Sequence, residues 1–147
     1  MAKTTLYTIG FTKKSAETFF NSIKNTGVKK VIDIRLNNVS HLAGFAKRDD
    51  LKYFLKTICN CEYTHQTVLS PTQELLDDWQ NKKIAWPEYV TRFRKLIAAR
   101  SIKDLLSIED LRDACLLCAE PTAEKCHRRL VAEHFKEIFP EIEIKHL

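Results

Sequence analysis

Five residues with reactive side chains lie close together near the C-terminal end of the chain. The stretch "LLCAEPTAEKCHRR" (residues 116–129) contains two thiols, a carboxylate, an imidazole and a guanidinium, at Cys118, Glu120, Cys126, His127 and Arg128. A thiolate is a nucleophile, and an imidazole or a carboxylate can carry a proton. The pattern therefore predicts an enzyme in which Cys118 or Cys126 is the nucleophile and His127 or Glu120 carries the proton.

The same residue types are also metal ligands. However, the spacing from Cys118 to Cys126 matches no common zinc motif, and neighbouring ligands at Cys126 and His127 would point apart on a helix. His65 or His41 would have to complete such a site. The spacing therefore predicts no metal ion, and we expect no other cofactor.

A second polar group occurs at the end of "VKKVIDIR" (residues 28–35), which reads as a strand. Asp33 and Arg35 are two residues apart, so on a strand they point to the same face. They could form an ion pair that only orders the following loop. Alternatively, Arg35 offers its two-pronged guanidinium to a phosphate or carboxylate while Asp33 orients it. The sequence leaves both possibilities open.

The elements that must position these residues alternate between strand and helix. Strands are predicted over residues 5–10, 28–35, 114–120 and 141–147, with helices between them, so the fold is a three-layer α/β domain with a mainly parallel central sheet flanked by helices. In such sheets, ligands bind outside the carboxyl ends of the strands. That rule adds Thr8 and Gly10, at the end of the first strand, to the predicted substrate-binding residues. All 147 residues fit a single domain.

Several details of the helices follow from their flanking residues. Ser15 is a candidate N-cap, Asp49 or Asp50 caps a second helix, and Ser70 with Pro71 opens a third. The helix that starts near residue 86 is expected to continue into "IKDLLSIEDLRD". Cys126 is expected in the first turns of the last helix, where the helix dipole and nearby arginines would favour its thiolate.

Composition bounds the class of protein. Hydrophobic residues make up 44% and charged residues 29% of the chain, which is typical of soluble globular proteins. No apolar run approaches the ~18 residues that a membrane span needs, and no segment reads as a signal peptide. The five cysteines lack the spacing of a disulfide framework. We therefore expect a protein of the reducing cytoplasm.

The net charge of +5 leaves a second kind of function open. A basic protein can bind nucleic acid or nucleotides, and Trp79, Trp86, Arg92 and Arg94 could supply stacking and phosphate contacts. A solvated, mildly cationic surface is the simpler explanation of the charge. A third possibility is that the Cys-Glu-Cys-His-Arg cluster is structural, with Glu120 accepting hydrogen bonds from Arg128 or from loop amides.

The chain also resembles one protein family along nearly its whole length, the domain of unknown function 488 (DUF488). The matching segments are "YTIGFT", "VIDIRLNNVSHLAGFAKRDDL", "YTHQTVLSPTQELLDDW" and "LLCAEPTAEKCHRRLVAEHF". The last contains the family's hallmark, Cys-x-Glu followed by Cys-His-Arg. The family usually has His-Ser after the first glycine, where this chain has Phe11 and Thr12.

The resemblance implies a small cytoplasmic α/β protein and no particular reaction. It groups nine residues into one site: Asp33, Arg35, Ser40, Phe45, Cys118, Glu120, Cys126, His127 and Arg128. Together, the residues and the resemblance predict a site for a small anionic ligand at the carboxyl ends of the strands, with Thr8, Gly10, Asp33, Arg35, Ser40, Phe45 and Arg128 binding the ligand.

Overall fold

A single parallel sheet forms the centre of the molecule. The computed structural model describes residues 4–37, 44–119 and 126–147. Its strands are β1 (Thr4–Gly10), β2 (Lys30–Asp33), β3 (Glu62–His65), β4 (Ala114–Cys118) and β5 (Ile142–His146). They lie in the order β3-β2-β4-β1-β5, and every pair is parallel. The prediction of a mainly parallel sheet is confirmed.

Six α-helices occur in the described residues: α1 (Ala16–Thr26), α2 (Arg48–Cys59), α3 (Gln73–Gln80), α4 (Trp86–Ala99), α5 (Ile108–Leu111) and α6 (His127–Ile138). Short 3₁₀ turns cover Gly44–Ala46, Thr67–Leu69 and Ile102–Asp104. None of these described helices is long and apolar enough to cross a membrane.

The sheet separates two hydrophobic cores. Successive side chains of a strand point to opposite faces. Leu116 and Cys118 of β4 accordingly pack in one core with α3, α4 and α6, whereas Cys115 and Leu117 pack in the other with α1 and α2. The three-layer prediction is thus confirmed, and so is the assignment of Cys115 as a small core residue, since it is fully buried.

Two predicted helix caps are wrong. The residue that caps α2 is Lys47, whose side chain makes no capping hydrogen bond, and Asp49 and Asp50 lie in the first turn instead. There, their charge is stabilised by the positive end of the helix dipole. Helix α3 is capped by Thr72 rather than Ser70, and the Thr72 hydroxyl accepts a backbone N–H of the first turn.

The predicted continuation of α4 into the next segment is also wrong. The helix ends at Ala99, and Ser101 adopts a left-handed backbone conformation with φ 50°. A left-handed residue cannot continue a right-handed helix. The chain then forms a 3₁₀ turn and the short helix α5, which starts with a capping box between Ser107 and Asp110.

Candidate functional site

A pocket of about 300 Å³ opens beyond the carboxyl ends of β2 and β4. Its walls come from the segment after β2, the end of β4, the start of α6, and the facing parts of α3 and α4. This position agrees with the rule that open parallel sheets bind ligands outside the strand ends. The volume lies at the lower end of the range for small-molecule sites, about 300–1,000 Å³.

Two thiols and an imidazole form the floor of this pocket. Cys118 ends β4, Cys126 is the N-cap of α6, and His127 is the first residue of that helix. The Cys118 Sγ atom lies 3.3 Å from His127 Nδ1. A ligand atom from each of the three residues lies within 4.8 Å of the other two. All three residues line the pocket and are buried, so the predicted reactive groups do converge.

A backbone carbonyl fixes the orientation of the His127 ring. Nε2 of His127 lies 2.8 Å from the carbonyl oxygen of Ile34, just after β2. A carbonyl oxygen can only accept, so Nε2 carries the hydrogen and donates it. Nδ1 then presents its lone pair to Cys118. Phe93 packs edge-on against the same ring, with centroids 5.7 Å apart, and restricts its rotation.

Cys126 does not have the lowered pKa that its place near a helix start suggested. A hydrogen bond with Cys118 and burial raise the pKa of the Cys126 thiol, and His127 only partly opposes them. As N-cap, Cys126 has an extended backbone, with φ −138° and ψ 141°, and belongs to the turn before α6. Burial and the neighbouring thiol thus work against the predicted Cys126 thiolate.

Asp33 and Arg35 form a buried, two-pronged ion pair behind the pocket wall. Arg35 donates from Nε to Asp33 Oδ1 at 2.9 Å and from Nη2 to Oδ2 at 2.8 Å. Nη2 also donates to the Ala46 carbonyl at 2.8 Å. Asp33 is fully buried, and Arg35 is 6% exposed. Asp33 thus binds two nitrogens of the Arg35 guanidinium, as expected if the ion pair only orders the following loop.

The Arg35 side chain nevertheless borders the pocket. Burial alone would lower its pKa, but the hydrogen bond and the charge of Asp33 raise it, so Arg35 stays a cation. Within the described residues, the side-chain hydrogen bonds of Arg35 come from Nε and Nη2. The guanidinium also lies over the Phe11 ring, 5.1 Å from the centroid, where the aromatic face favours a cation.

An aromatic wall faces these polar groups, and reasoning from the sequence did not assign it to the site. Trp79 ends α3, while Trp86 and Tyr89 begin α4. All three line the pocket. The Trp86 and Tyr89 rings are nearly parallel at 12°, with centroids 5.0 Å apart, and the Trp79 and Trp86 centroids are 5.2 Å apart. The sequence indicated Trp79 and Trp86 only as stacking residues of the nucleic-acid alternative.

The arginines next to this wall are paired with acidic side chains. Arg92 donates to Asp78 at 3.0 Å and lies 3.7 Å from Glu88, while Arg94 lies 3.3 Å from Glu133. The first contact ties α3 to α4 and so holds the aromatic wall together. These pairings reduce the positive charge available to phosphates, so the arrangement does not favour the nucleic-acid alternative.

Three predicted ligand-binding residues lie in a different place. Thr8, Gly10 and Arg128 are buried and are not among the residues that line the pocket. Arg128 donates from Nε to Thr8 Oγ1 at 3.3 Å, and the same oxygen hydrogen bonds with His146 Nδ1 at 2.6 Å. Burial and the charge of Arg128 lower the pKa of His146. The group joins β1, β5 and α6.

The remaining predicted residues are also separate from the pocket or lie outside the described part of the chain. Asp33 does not line the pocket, but it binds Arg35, which does. Phe45 packs against Phe19 and Phe20 in the core of the α1–α2 face, with centroids 5.3 and 5.7 Å away. Ser40 and Glu120 lie outside the described residues.

Comparison with known proteins identifies the family. The family model described as "Domain of unknown function DUF488" matches residues 15–135. The chain belongs to the DUF488 family. The match covers most of the chain, including the pocket floor, Arg35 and the aromatic wall, whereas Phe11, which also lines the pocket, precedes the matched residues. A search of curated proteins found no match, and a search of solved structures found none either.

Proposed function

We propose that this DUF488 protein is an enzyme that binds a small anionic ligand in the pocket and acts on it through Cys118, Cys126 and His127. The observation that carries the proposal is that the thiol–imidazole group lies at the bottom of a ligand-sized cavity. Reactive groups buried only for packing would need no cavity above them.

The walls of the pocket suggest what the ligand looks like. Arg35 supplies a cation on one side, with its position fixed by Asp33, and so suits a carboxylate or phosphate group. Trp79 and Trp86 offer half-buried aromatic faces on the other side, which suit a flat apolar group. The substrate class is therefore a small molecule with a flat apolar part and an anionic group.

Cys118 is the reactive sulfur in this proposal. The Nδ1 atom of His127 lies 3.3 Å from Cys118 Sγ, so its lone pair can accept the thiol proton without a movement of either residue. The Ile34 carbonyl stabilises the resulting imidazolium through Nε2. The thiolate formed is the form of cysteine that acts as a nucleophile or as a metal ligand. We place the enzyme in the reducing cytoplasm, where such thiols persist.

Alkylation with a charged reagent tests the reactive sulfur. Protein dialysed against a chelator is treated with iodoacetate or with neutral iodoacetamide, and each cysteine is followed by mass spectrometry. We expect iodoacetate to modify Cys118 with saturation kinetics and about tenfold faster than Cys59, the half-buried thiol outside the pocket. His127→Asn should remove this advantage. Modification of Cys118 no faster than in the denatured chain would refute the proposal.

Ligand binding is tested separately with 2-naphthalenesulfonate, a flat aromatic anion, and with neutral 2-naphthol as its control. The chain has two tryptophans, and both line the pocket, so their fluorescence reports binding directly. We expect saturable quenching by the sulfonate, weaker quenching by the naphthol, and protection of Cys118 from iodoacetate by the sulfonate. Equal quenching by both compounds would mean that Arg35 does not select an anion.

A further inference from the structure

We infer that Cys118, Cys126 and His127 bind a divalent metal ion of the zinc class, with one coordination position open toward the pocket. The site combines two sulfurs and one imidazole nitrogen. This donor set suits Zn²⁺, which takes thiolate and imidazole ligands in tetrahedral geometry. The proposal rests on the proposed function in taking the same pocket as its site; with the ion bound, the Cys118 thiolate and the His127 Nδ1 lone pair would coordinate the metal instead of exchanging a proton.

The distances between the side chains fit such an ion. With Zn–S near 2.3 Å and Zn–N near 2.0–2.1 Å, tetrahedral geometry places two sulfurs about 3.8 Å apart and a sulfur and a nitrogen about 3.6 Å apart. The Cys118 Sγ and His127 Nδ1 atoms are 3.3 Å apart. All three ligand atoms lie within 4.8 Å of one another, so adjustments of less than about 1 Å bring them onto one ion.

The spacing that argued against a metal in the sequence assumed that Cys126 lies on the helix. It lies before α6 as the N-cap, with an extended backbone, so its side chain need not diverge from that of His127. Cys118 approaches from the end of β4. The three ligands therefore come from a strand end, a turn and a helix start, which no sequence motif of evenly spaced ligands would reveal.

The surroundings of His127 are those of a metal ligand. Histidines that bind metals donate their second ring N–H to a carbonyl or carboxylate, which fixes the tautomer. His127 does so from Nε2 to the Ile34 carbonyl at 2.8 Å, and its Nδ1 lone pair faces the Cys118 sulfur. The high pKa of the Cys126 thiol is no obstacle, because a coordinating thiol loses its proton to solvent as the metal binds.

The open position follows from the pocket. Structural zinc sites are closed by four protein ligands, whereas catalytic sites have three and leave the fourth position to water or substrate. Among the described residues the group has three members, and all of them line the cavity. An ion held between them would thus border the space where the anionic ligand binds.

Cobalt provides the test, because tetrahedral Co²⁺ with thiolate ligands has strong visible bands and a thiolate-to-metal charge-transfer band. Chelator-treated protein is titrated with Co²⁺ and then with Zn²⁺. We expect one Co²⁺ per chain, displaced by Zn²⁺, and a change in the visible bands when azide is added. Absence of the charge-transfer band would overturn the metal site, and bands insensitive to azide would overturn the open position.

Variants identify the ligands. Cys126→Ser should weaken Zn²⁺ binding by more than the roughly 100-fold that loss of an outer hydrogen bond can cost. Cys59→Ser, which removes a thiol outside the pocket, should bind like the unchanged chain. Because Cys126→Ser could also impair folding, a second measurement uses the unchanged chain: Zn²⁺ should protect Cys118, but not Cys59, from iodoacetamide. Protection of Cys59 to the same extent, or no protection of Cys118, would overturn the assignment.

The two proposals can fail independently. Binding of 2-naphthalenesulfonate and selective alkylation of Cys118 in chelator-treated protein, without a Co²⁺ spectrum, would leave the proposed function standing and refute the metal. A Co²⁺ spectrum without any effect of 2-naphthalenesulfonate on tryptophan fluorescence would support the metal and refute the ligand pocket.

Discussion

The ion pair between Asp33 and Arg35 allows the sharpest prediction about what holds the site. Asp33 accepts hydrogen bonds from the Arg35 backbone N–H at 3.1 Å, from its Nε at 2.9 Å and Nη2 at 2.8 Å, and from the Tyr63 hydroxyl at 2.5 Å. The variant Asp33→Asn loses the negative charge, and its amide NH₂, itself a donor, faces the donor groups of Arg35 and Tyr63. Arg35 then remains a buried cation without its counter-ion.

Breaking a buried ion pair by removing one partner costs about 3–5 kcal/mol. We expect the lower end, about 3 kcal/mol, because water in the pocket can reach one side of Arg35. In a domain of this size, each kcal/mol lowers Tm by about 2–4 °C, so Tm should fall by about 6–12 °C. Urea unfolding followed by circular dichroism measures the same loss as a lower midpoint with an unchanged slope.

The matched control is Asp49→Asn, which removes an exposed ion pair with Arg48. Its effect on the midpoint should be much smaller, since exposed pairs contribute little. Equal effects of the two variants would refute the view that Asp33 anchors Arg35. Should Asp33→Asn not fold, Tyr63→Phe removes the hydroxyl hydrogen bond to Asp33 while the carboxylate stays in place, and a loss of about 1.5–3 kcal/mol is expected.

Two further predictions concern backbone strain and thiol reactivity. Ser101→Gly should raise the free energy of unfolding by about 0.5 kcal/mol, because Ser101 has a left-handed backbone with φ 50° that glycine adopts more easily. Gly27→Ala should lower the free energy of unfolding by about 1 kcal/mol, because φ is 80° there, although nothing lies within 4 Å of the added Cβ. Urea midpoints that move in the opposite directions would contradict both expectations. Burial raises the pKa of Cys61 to about 11 and also raises that of Cys115, so iodoacetamide at pH 8 should leave both unmodified until urea unfolds the chain. Mass spectrometry of the native protein checks this, and early modification of Cys115 would show that the core opens without global unfolding.

Sequence patterns predicted the sheet because its strands are short apolar runs between helices with clear amphipathic spacing. The opposite orientations of Cys115 and Cys118 followed from strand geometry alone. The first residues of helices were predicted less well, because several residues that can cap a helix lie close together in the sequence. The residues that cap these helices are Lys47, which makes no capping hydrogen bond, and Thr72, which lies two residues after the predicted cap Ser70.

Within the site, the sequence located the pocket floor and Arg35 but not the aromatic wall. A tryptophan at a helix end packs equally well in a core or beside a cavity, and only the crossing of α3 and α4 decides between them. Cys126 was placed on the helix because its neighbours have helical spacing, whereas the helix begins one residue later. That single residue removes the argument that the side chains of Cys126 and His127 must diverge.

The carbonyl of Ile34 gives the two sides of the pocket a common support. It accepts hydrogen bonds from His127 Nε2 at 2.8 Å and from the Ser70 hydroxyl at 2.9 Å, and it lies between Asp33 and Arg35 along the chain. A displacement of this peptide group would move the guanidinium and turn the imidazole together. If the proposed function holds, a substrate that pulls on Arg35 would also adjust the geometry around the sulfurs, and recognition and chemistry would be mechanically linked through one residue of main chain.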